Sequence, residues 1–142
     1  MNAFRLDVLE AEKVFFKGEC VSLVIPKDDG LYGIQANHHN TIVPVKPGVM
    51  KITTPDGTEI EAAVSSGIVK VENNWVLVLV ETAELPEEID VNRARRAEAA
   101  AKEAILQKRS IREFNEAQAH LARAVSRLRV KDRYEAKRGN RK

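Results

Sequence analysis

Ile89-Asp90-Val91-Asn92-Arg93-Ala94 is where the chain changes character. Before it the sequence is strand-like and acidic, with 7 Lys/Arg against 14 Asp/Glu over residues 1–88. After it the sequence is rich in Ala, Arg, Glu and Lys, with 16 Lys/Arg against 7 Asp/Glu over residues 89–142. A formal net charge of +2 thus conceals halves of −7 and +9. Such asymmetry points to two halves that face different partners.

Upstream of this junction, short apolar stretches alternate with turn residues. Phe4, Leu6 and Val8 fall on one face of a strand at Phe4–Leu9. A second run covers Val14–Val24 around a Lys17-Gly18 break, where a bulge or bend is expected. Pro26-Lys27-Asp28-Asp29-Gly30 signals a turn, followed by strands at Leu31–Ile34 and Thr41–Val45. Val49–Thr53 and Thr58–Ser65 flank Pro55-Asp56-Gly57, and Gly67–Val71 and Trp75–Val80 flank Asn73-Asn74. The reading is about eight strands at regular spacing, a β-sandwich or barrel over residues 1–85.

Downstream, Asp90 suits a helix N-cap, and the helical pattern runs to about Gln107. Val91, Ala94, Ala101 and Ile105 share a narrow face whose small residues permit a close helix neighbour. Ser110-Ile111-Arg112-Glu113 has capping-box spacing and marks a second helix. Its stripe of Phe114, Ala117, Leu121, Val125 and Leu128 needs a partner, and the first helix is nearest. Residues 86–142 therefore read as an antiparallel helical hairpin of helices about 18–20 residues long. Their thin apolar faces are marginal alone, so the hairpin is expected to dock, undock or extend. The basic end, Lys137–Lys142, is expected to fray.

Composition narrows the function. The single cysteine, Cys20, excludes an internal disulfide and reads as a buried small residue in a reducing compartment. No apolar run reaches 18 residues, so no direct membrane span is expected, and the N-terminus enters a strand pattern at once, unlike a targeting peptide. No phosphate loop, zinc spacing or nucleophile elbow is present, so no catalytic residue and no metal ligand set is assigned. His38 and His39 are adjacent in a turn-like segment, where a surface contact is expected rather than a metal site; neighbouring side chains there should point in opposite directions.

The helices hold more. Arg123 and Arg127 lie four apart on a face more than about 100° from the apolar stripe. Two parallel guanidiniums can clamp phosphates through planar bidentate donors. Asp90 and Arg93 open the first helix, and an acidic group there can accept from a ribose hydroxyl or an adenine amino group. The plainer alternative is that Asp90 only caps the helix, pairing with Arg93, and that Arg123, Arg127, Arg129, Lys131 and Arg133 form a solvated basic face. A basic helical module that binds nucleic acid is a competing function. The scarcity of aromatic residues on these helices and the acidic sandwich both oppose it.

In order and spacing, several segments resemble the ε subunits of bacterial F-type ATP synthases. They are Val24-Ile25-Pro26 through Asp29-Gly30, Gly33-Ile34, Asn37-His38, Pro47-Gly48-Val49, Ser66-Gly67-Ile68 and Asn73-Asn74-Trp75-Val76. Glu88-Ile89-Asp90 with Arg93-Ala94, and Leu121-Ala122-Arg123-Ala124 with Arg127-Leu128, complete the resemblance to about residue 133. It implies a ten-stranded sandwich plus a helical hairpin, serving as a non-catalytic part of the central rotor stalk. It implies docking on the γ subunit and the c ring, with the Tyr32, His38 and His39 region toward the c ring. It also implies helices that inhibit ATP hydrolysis by extending along γ toward the α and β subunits, at the cytoplasmic face of the bacterial plasma membrane. No cofactor is implied beyond ATP as a regulatory ligand. The family's nucleotide motif, Ile/Leu-Asp-x-x-Arg-Ala, falls on Ile89, Asp90, Arg93 and Ala94, with Glu84, Arg123 and Arg127 as its remaining members. An Arg found ten residues after the Asp in strong binders is Ala100 here. Losing one charge-assisted contact costs about 1.5–3 kcal/mol, or roughly 10- to 150-fold in affinity, so weak ATP binding is expected.

Overall fold

A computed structural model describes residues 2–107 and 111–139. Among these, ten strands form two five-stranded sheets. The strands are β1 (Phe4–Leu9), β2 (Val14–Cys20), β3 (Ser22–Lys27), β4 (Gly30–Ile34), β5 (Thr41–Val45), β6 (Gly48–Thr53), β7 (Glu59–Val64), β8 (Gly67–Glu72), β9 (Trp75–Val80) and β10 (Ala83–Glu84). The first sheet has the order β2-β1-β9-β8-β5 and the second β10-β7-β6-β3-β4. Neighbours are antiparallel except β1 and β9, which run parallel with Asp7 beside Leu77.

The inner faces interdigitate as the alternation predicts. Phe4, Leu6 and Val8 meet Leu23, Ile25, Met50 and Ile52 across a core that also holds Val69, Val71, Val76 and Val78. Cys20 is buried in it, and burial pushes its thiol up to about 12. The β6–β7 hairpin closes around Gly57 at φ 87°, with Gly57 N donating to Thr54 O. Asn73 and Asn74 both take positive φ between β8 and β9, as two-residue hairpin loops require.

Two strand expectations need correction. Val14–Val24 is not one bulged strand but β2 and β3, which lie in different sheets and part at Val21. Lys17-Gly18 sits inside β2, and the register shift lies instead in its pairing with β1, at Val8/Leu9. With the short β10, this raises the count from eight to ten.

The second sheet leads into one 3-10 turn at Pro86–Glu88, then α1 (Val91–Leu106) and α2 (Ile111–Gly139). Asp90 is the N-cap of α1, its Oδ1 accepting from Arg93 N at 3.1 Å. Ser110 of the expected capping box lies outside the described residues. At 29 residues α2 is longer than expected, about 44 Å at the helical rise, and takes in residues 137–139 of the end expected to fray, while residues 140–142 lie outside the described residues. Lys137 and Arg138 in its last turn complement the helix dipole.

The helices pack against each other through alanines: Ala94 and Ala101 of α1, Ala117 and Ala124 of α2 are all buried. Larger members of the predicted stripe, Phe114, Leu121, Val125 and Leu128, flank this seam half-buried. A second face of α2 is buried as well. Val130 is wholly enclosed with Ala63 of β7, Ile89 of the junction and half-buried Val49 of β6. The hairpin is thereby seated on the outer face of the second sheet.

Candidate functional site

The junction brings together residues far apart in sequence. Arg127 Nε donates to Glu84 Oε1 at 2.8 Å, with both side chains about three-quarters buried (29% and 26% exposed). Lys131 Nζ donates to Pro86 O at 3.3 Å, and Arg133 pairs with Glu61 of β7 at 3.4 Å. On the sandwich side Lys13 reaches Glu88 and Glu10, each at 3.6 Å, while Glu10 Oε1 accepts from Ala83 N at 2.7 Å. Acidic positions on the sandwich and junction thus face basic positions on α2, so part of the basic face is engaged rather than merely solvated.

The expected nucleotide residues stand in differing states. Ile89 and Ala94 are buried, Ile89 plugging the Val130 cluster and Ala94 the helix–helix seam. Asp90 and Arg93 are exposed at the start of α1, linked through the cap. Glu84 and Arg127 are joined to each other. Arg123 is half-buried, and its Nη2 donates to His120 Nδ1 at 2.6 Å. Ala100 is exposed on α1. A cleft of about 1100 Å³ lies elsewhere, between the end of α2 and the sandwich. Its lining includes Phe15, Phe16, Ile60, Leu85 and Tyr134 but none of the nucleotide residues.

The Tyr32–His39 region forms a compact cluster at one end of the sandwich. His38 Nδ1 lies 2.8 Å from His39 O. A carbonyl only accepts, so Nδ1 carries the proton and Nε2 accepts from the Tyr32 hydroxyl at 3.0 Å. The His38 and His39 rings stack at 4.3 Å and 24°, contrary to the expectation that they point apart. Asn37, at φ 62°, breaks the extended conformation on which that expectation rested. Asn37 N donates to Asn74 Oδ1 at 2.7 Å and Asn73 N to Asn40 Oδ1 at 2.9 Å, which ties this loop to the β8–β9 turn.

Sequence reasoning missed a further surface, the outer face of the first sheet. Outward positions of β5, β8 and β9 present Ile42, Pro44, Ile68, Leu77, Leu79 and Trp75, aligned across the strands as Pro44–Ile68–Leu79. Most are exposed, and the hairpin lies on the opposite sheet. The period-2 alternation contained the signal, because these outward positions are apolar where polar residues would be expected. Among the described residues no helix is long and apolar enough to cross a membrane.

Residues 3–86 match the family described as ATP synthase, Delta/Epsilon chain, beta-sandwich domain. Residues 87–132 match ATP synthase, Delta/Epsilon chain, long alpha-helix domain. The chain is 38% identical over 133 residues to the ATP synthase epsilon chain of Ruminiclostridium cellulolyticum, covering 94% of this chain and 98% of that one. It is 39% identical over 130 residues to the epsilon chain of Caldicellulosiruptor bescii, covering 92% and 94%. A chain in the Euglena gracilis mitochondrial ATP synthase assembly of OSCP, F1 and c-ring shares the fold, with a TM-score of 0.74 and 19% identity over 84% of this chain and 76% of that one.

Proposed function

The chain belongs to the ATP synthase delta/epsilon chain family, and from that premise we propose that it is a non-catalytic regulatory subunit of the central stalk. Its sandwich docks on the γ subunit through the apolar outer face of the first sheet, and meets the c ring through the Tyr32, His38 and His39 loop. Its hairpin restrains ATP hydrolysis by leaving the second sheet and extending toward the α and β subunits. In a bacterial cell this places it on the cytoplasmic face of the plasma membrane, as a peripheral member of the complex.

The observation that carries the regulatory part is the thinness of the hairpin seat. One small cluster around Val130 and a few polar contacts hold α2, while the sandwich core is complete without it. The tail can therefore leave at the cost of a few contacts, without unfolding the docking domain. Deleting residues 89–142 within the assembled complex is expected to preserve assembly and raise ATP hydrolysis. Unchanged hydrolysis would remove the braking role.

ATP is the proposed ligand of the docked form, with Asp90 and Glu84 toward the base and ribose, and Arg123 and Arg127 toward the phosphates. With Ala100 in place of an Arg, binding is weak and its effect on the hairpin partial, since a ligand shifts an equilibrium only by its differential affinity. Calorimetry with ATP on the wild type and on Arg123→Ala/Arg127→Ala tests this. Equal heats from the two proteins would end the clamp proposal.

A further inference from the structure

Trp75, the single tryptophan of the chain, is 54% exposed at one end of the apolar face of the first sheet. A large aromatic ring so placed would ordinarily be free to change rotamer. Here its indole Nε1 donates to Asp7 Oδ2 at 3.0 Å, and the other oxygen, Oδ1, accepts from Arg5 Nε at 3.3 Å. Asp7 itself is only 5% exposed although it points outward from β1. A carboxylate set into an apolar surface is costly unless both oxygens have donors, and both do. The parallel β1–β9 register creates the arrangement: Trp75 stands beside Arg5, and Asp7 is the diagonal neighbour two residues on.

We infer that Trp75, held in place by Asp7, is the anchor that determines the affinity of this face for the γ subunit, with Asp7 as a positioning residue. The inference rests on the docking role proposed above. A ring fixed before docking loses little conformational entropy on binding, and tryptophan is enriched among the few side chains that carry most of an interface's binding energy. Ile42, Ile68, Leu77 and Leu79 supply the apolar surround. The patch is continuous with the proposed c-ring loop, because Asn73 and Asn74, just before Trp75, hold Asn37 and Asn40. The hairpin does not compete for this face. Trp75 therefore serves docking in both the folded and the extended state of the tail.

The test measures binding of the full-length chain to the cognate α/β/γ complex stripped of this subunit. Trp75→Ala is expected to weaken binding at least about 30-fold, and Trp75→Phe, which keeps a ring but loses the N–H, about 5-fold. Asp7→Ala is expected to weaken binding about 5- to 10-fold, Asp7→Asn to restore most of that because its side-chain oxygen still accepts the indole N–H, and Asp7→Ala to add nothing to Trp75→Ala. Trp75→Phe keeps the test open should the alanine variant fold poorly. Failure of the wild type to bind would overturn the γ-docking role itself. Wild-type binding with unchanged affinity in both Trp75 variants would overturn the anchor alone. Self-association of the isolated chain that Trp75→Ala abolishes would assign the face to a second copy and also overturn it.

Discussion

Replacing Glu84 with Gln tests whether the hairpin is held by charge. At 2.8 Å, two unit charges attract by about 6 kcal/mol at an effective dielectric near 20. Most of that is returned as desolvation, because both groups are hydrated when the hairpin is open. Fully exposed pairs are worth about 0.2–1 kcal/mol, and breaking a fully buried pair costs about 3–5 kcal/mol. With 26% and 29% of the side chains exposed, the Glu84–Arg127 pair falls between these limits, at about 1–2 kcal/mol. The open population of the hairpin should therefore rise about 5- to 30-fold in Glu84→Gln. Amide hydrogen exchange around Val130 reads this directly, since those amides exchange through the open form, while β1 and β9 amides should keep their wild-type rates. One molar salt should accelerate α2 exchange in the wild type more than in the variant, as the Debye length falls from about 8 to 3 Å. Identical α2 exchange in both proteins would refute the ionic latch. An equal acceleration in β1 and β9 would show that Glu84 acts through the sandwich instead.

Gly67→Ala should cost about 3 kcal/mol or more in urea unfolding, because a Cβ there would collide with Leu79 O and lie 2.8 Å from Val80 Cα, both backbone; Gly33→Ala, with nothing within 4 Å, is the neutral control. Ala124→Leu should force α1 and α2 apart and lower the stability of the helical portion by about 1–3 kcal/mol, read from the thermal transition followed at a helix-sensitive wavelength. Cys20, raised from 9.0 to about 12 by burial, keeps a proton in the folded chain that the unfolded chain releases above about pH 9. Stability should therefore fall as pH rises from about 9 toward 12, by about 1.4 kcal/mol per pH unit from this group. Cys20→Ala should remove that component, and equal pH slopes between pH 8.5 and 10 in the two proteins would contradict it.

The inner core was legible because Phe4, Leu6 and Val8, or Val76, Val78 and Val80, alternate with outward residues in a period that only a strand satisfies. The split at Val21 was not, because the chain crosses between sheets without Gly or Pro. Val21 N simply turns to donate to Thr53 O at 2.8 Å. The alanine seam could be read from helical spacing, but the second buried face of α2 could not. It is built from Ser126, Val130 and the stems of Arg127 and Lys131, which look like a solvated basic face until the sheet beneath is known. Helical spacing and charge suggested Asp90, Arg93, Arg123 and Arg127 as nucleotide candidates, but Glu84, Ile89 and Ala94 came only with the family motif, and the meeting of Glu84 with Arg127, 43 positions apart, is encoded by no local pattern. The Trp75–Asp7 contact depends on a parallel pairing across 68 positions that no local pattern encodes.

In the proposed scheme the two outer sheet faces divide the work of the chain, and the junction would couple that division to ATP. Arg127 cannot be fully committed to Glu84 and to a triphosphate at once. A nucleotide entering the seam therefore exchanges one ion pair for another, and its effect on the hairpin is the difference between the two, not the whole of its binding energy. To carry the docked fraction from 1% to 99% this difference must reach about 5.5 kcal/mol. Ile89 and Asp90 are adjacent, one sealing the Val130 cluster and the other capping α1, so a ligand that engages Asp90 also bears on the apolar seal. The absence of an Arg at position 100 reduces the gain while leaving the cost of displacing Glu84 unchanged. Because the Gln side-chain oxygen still accepts from the ribose or base while no longer holding Arg127 by charge, Glu84→Gln should accordingly strengthen ATP binding even as it loosens the unliganded hairpin. Two measurements moving in opposite directions from one substitution distinguish exchange at the seam from simple loss of a contact.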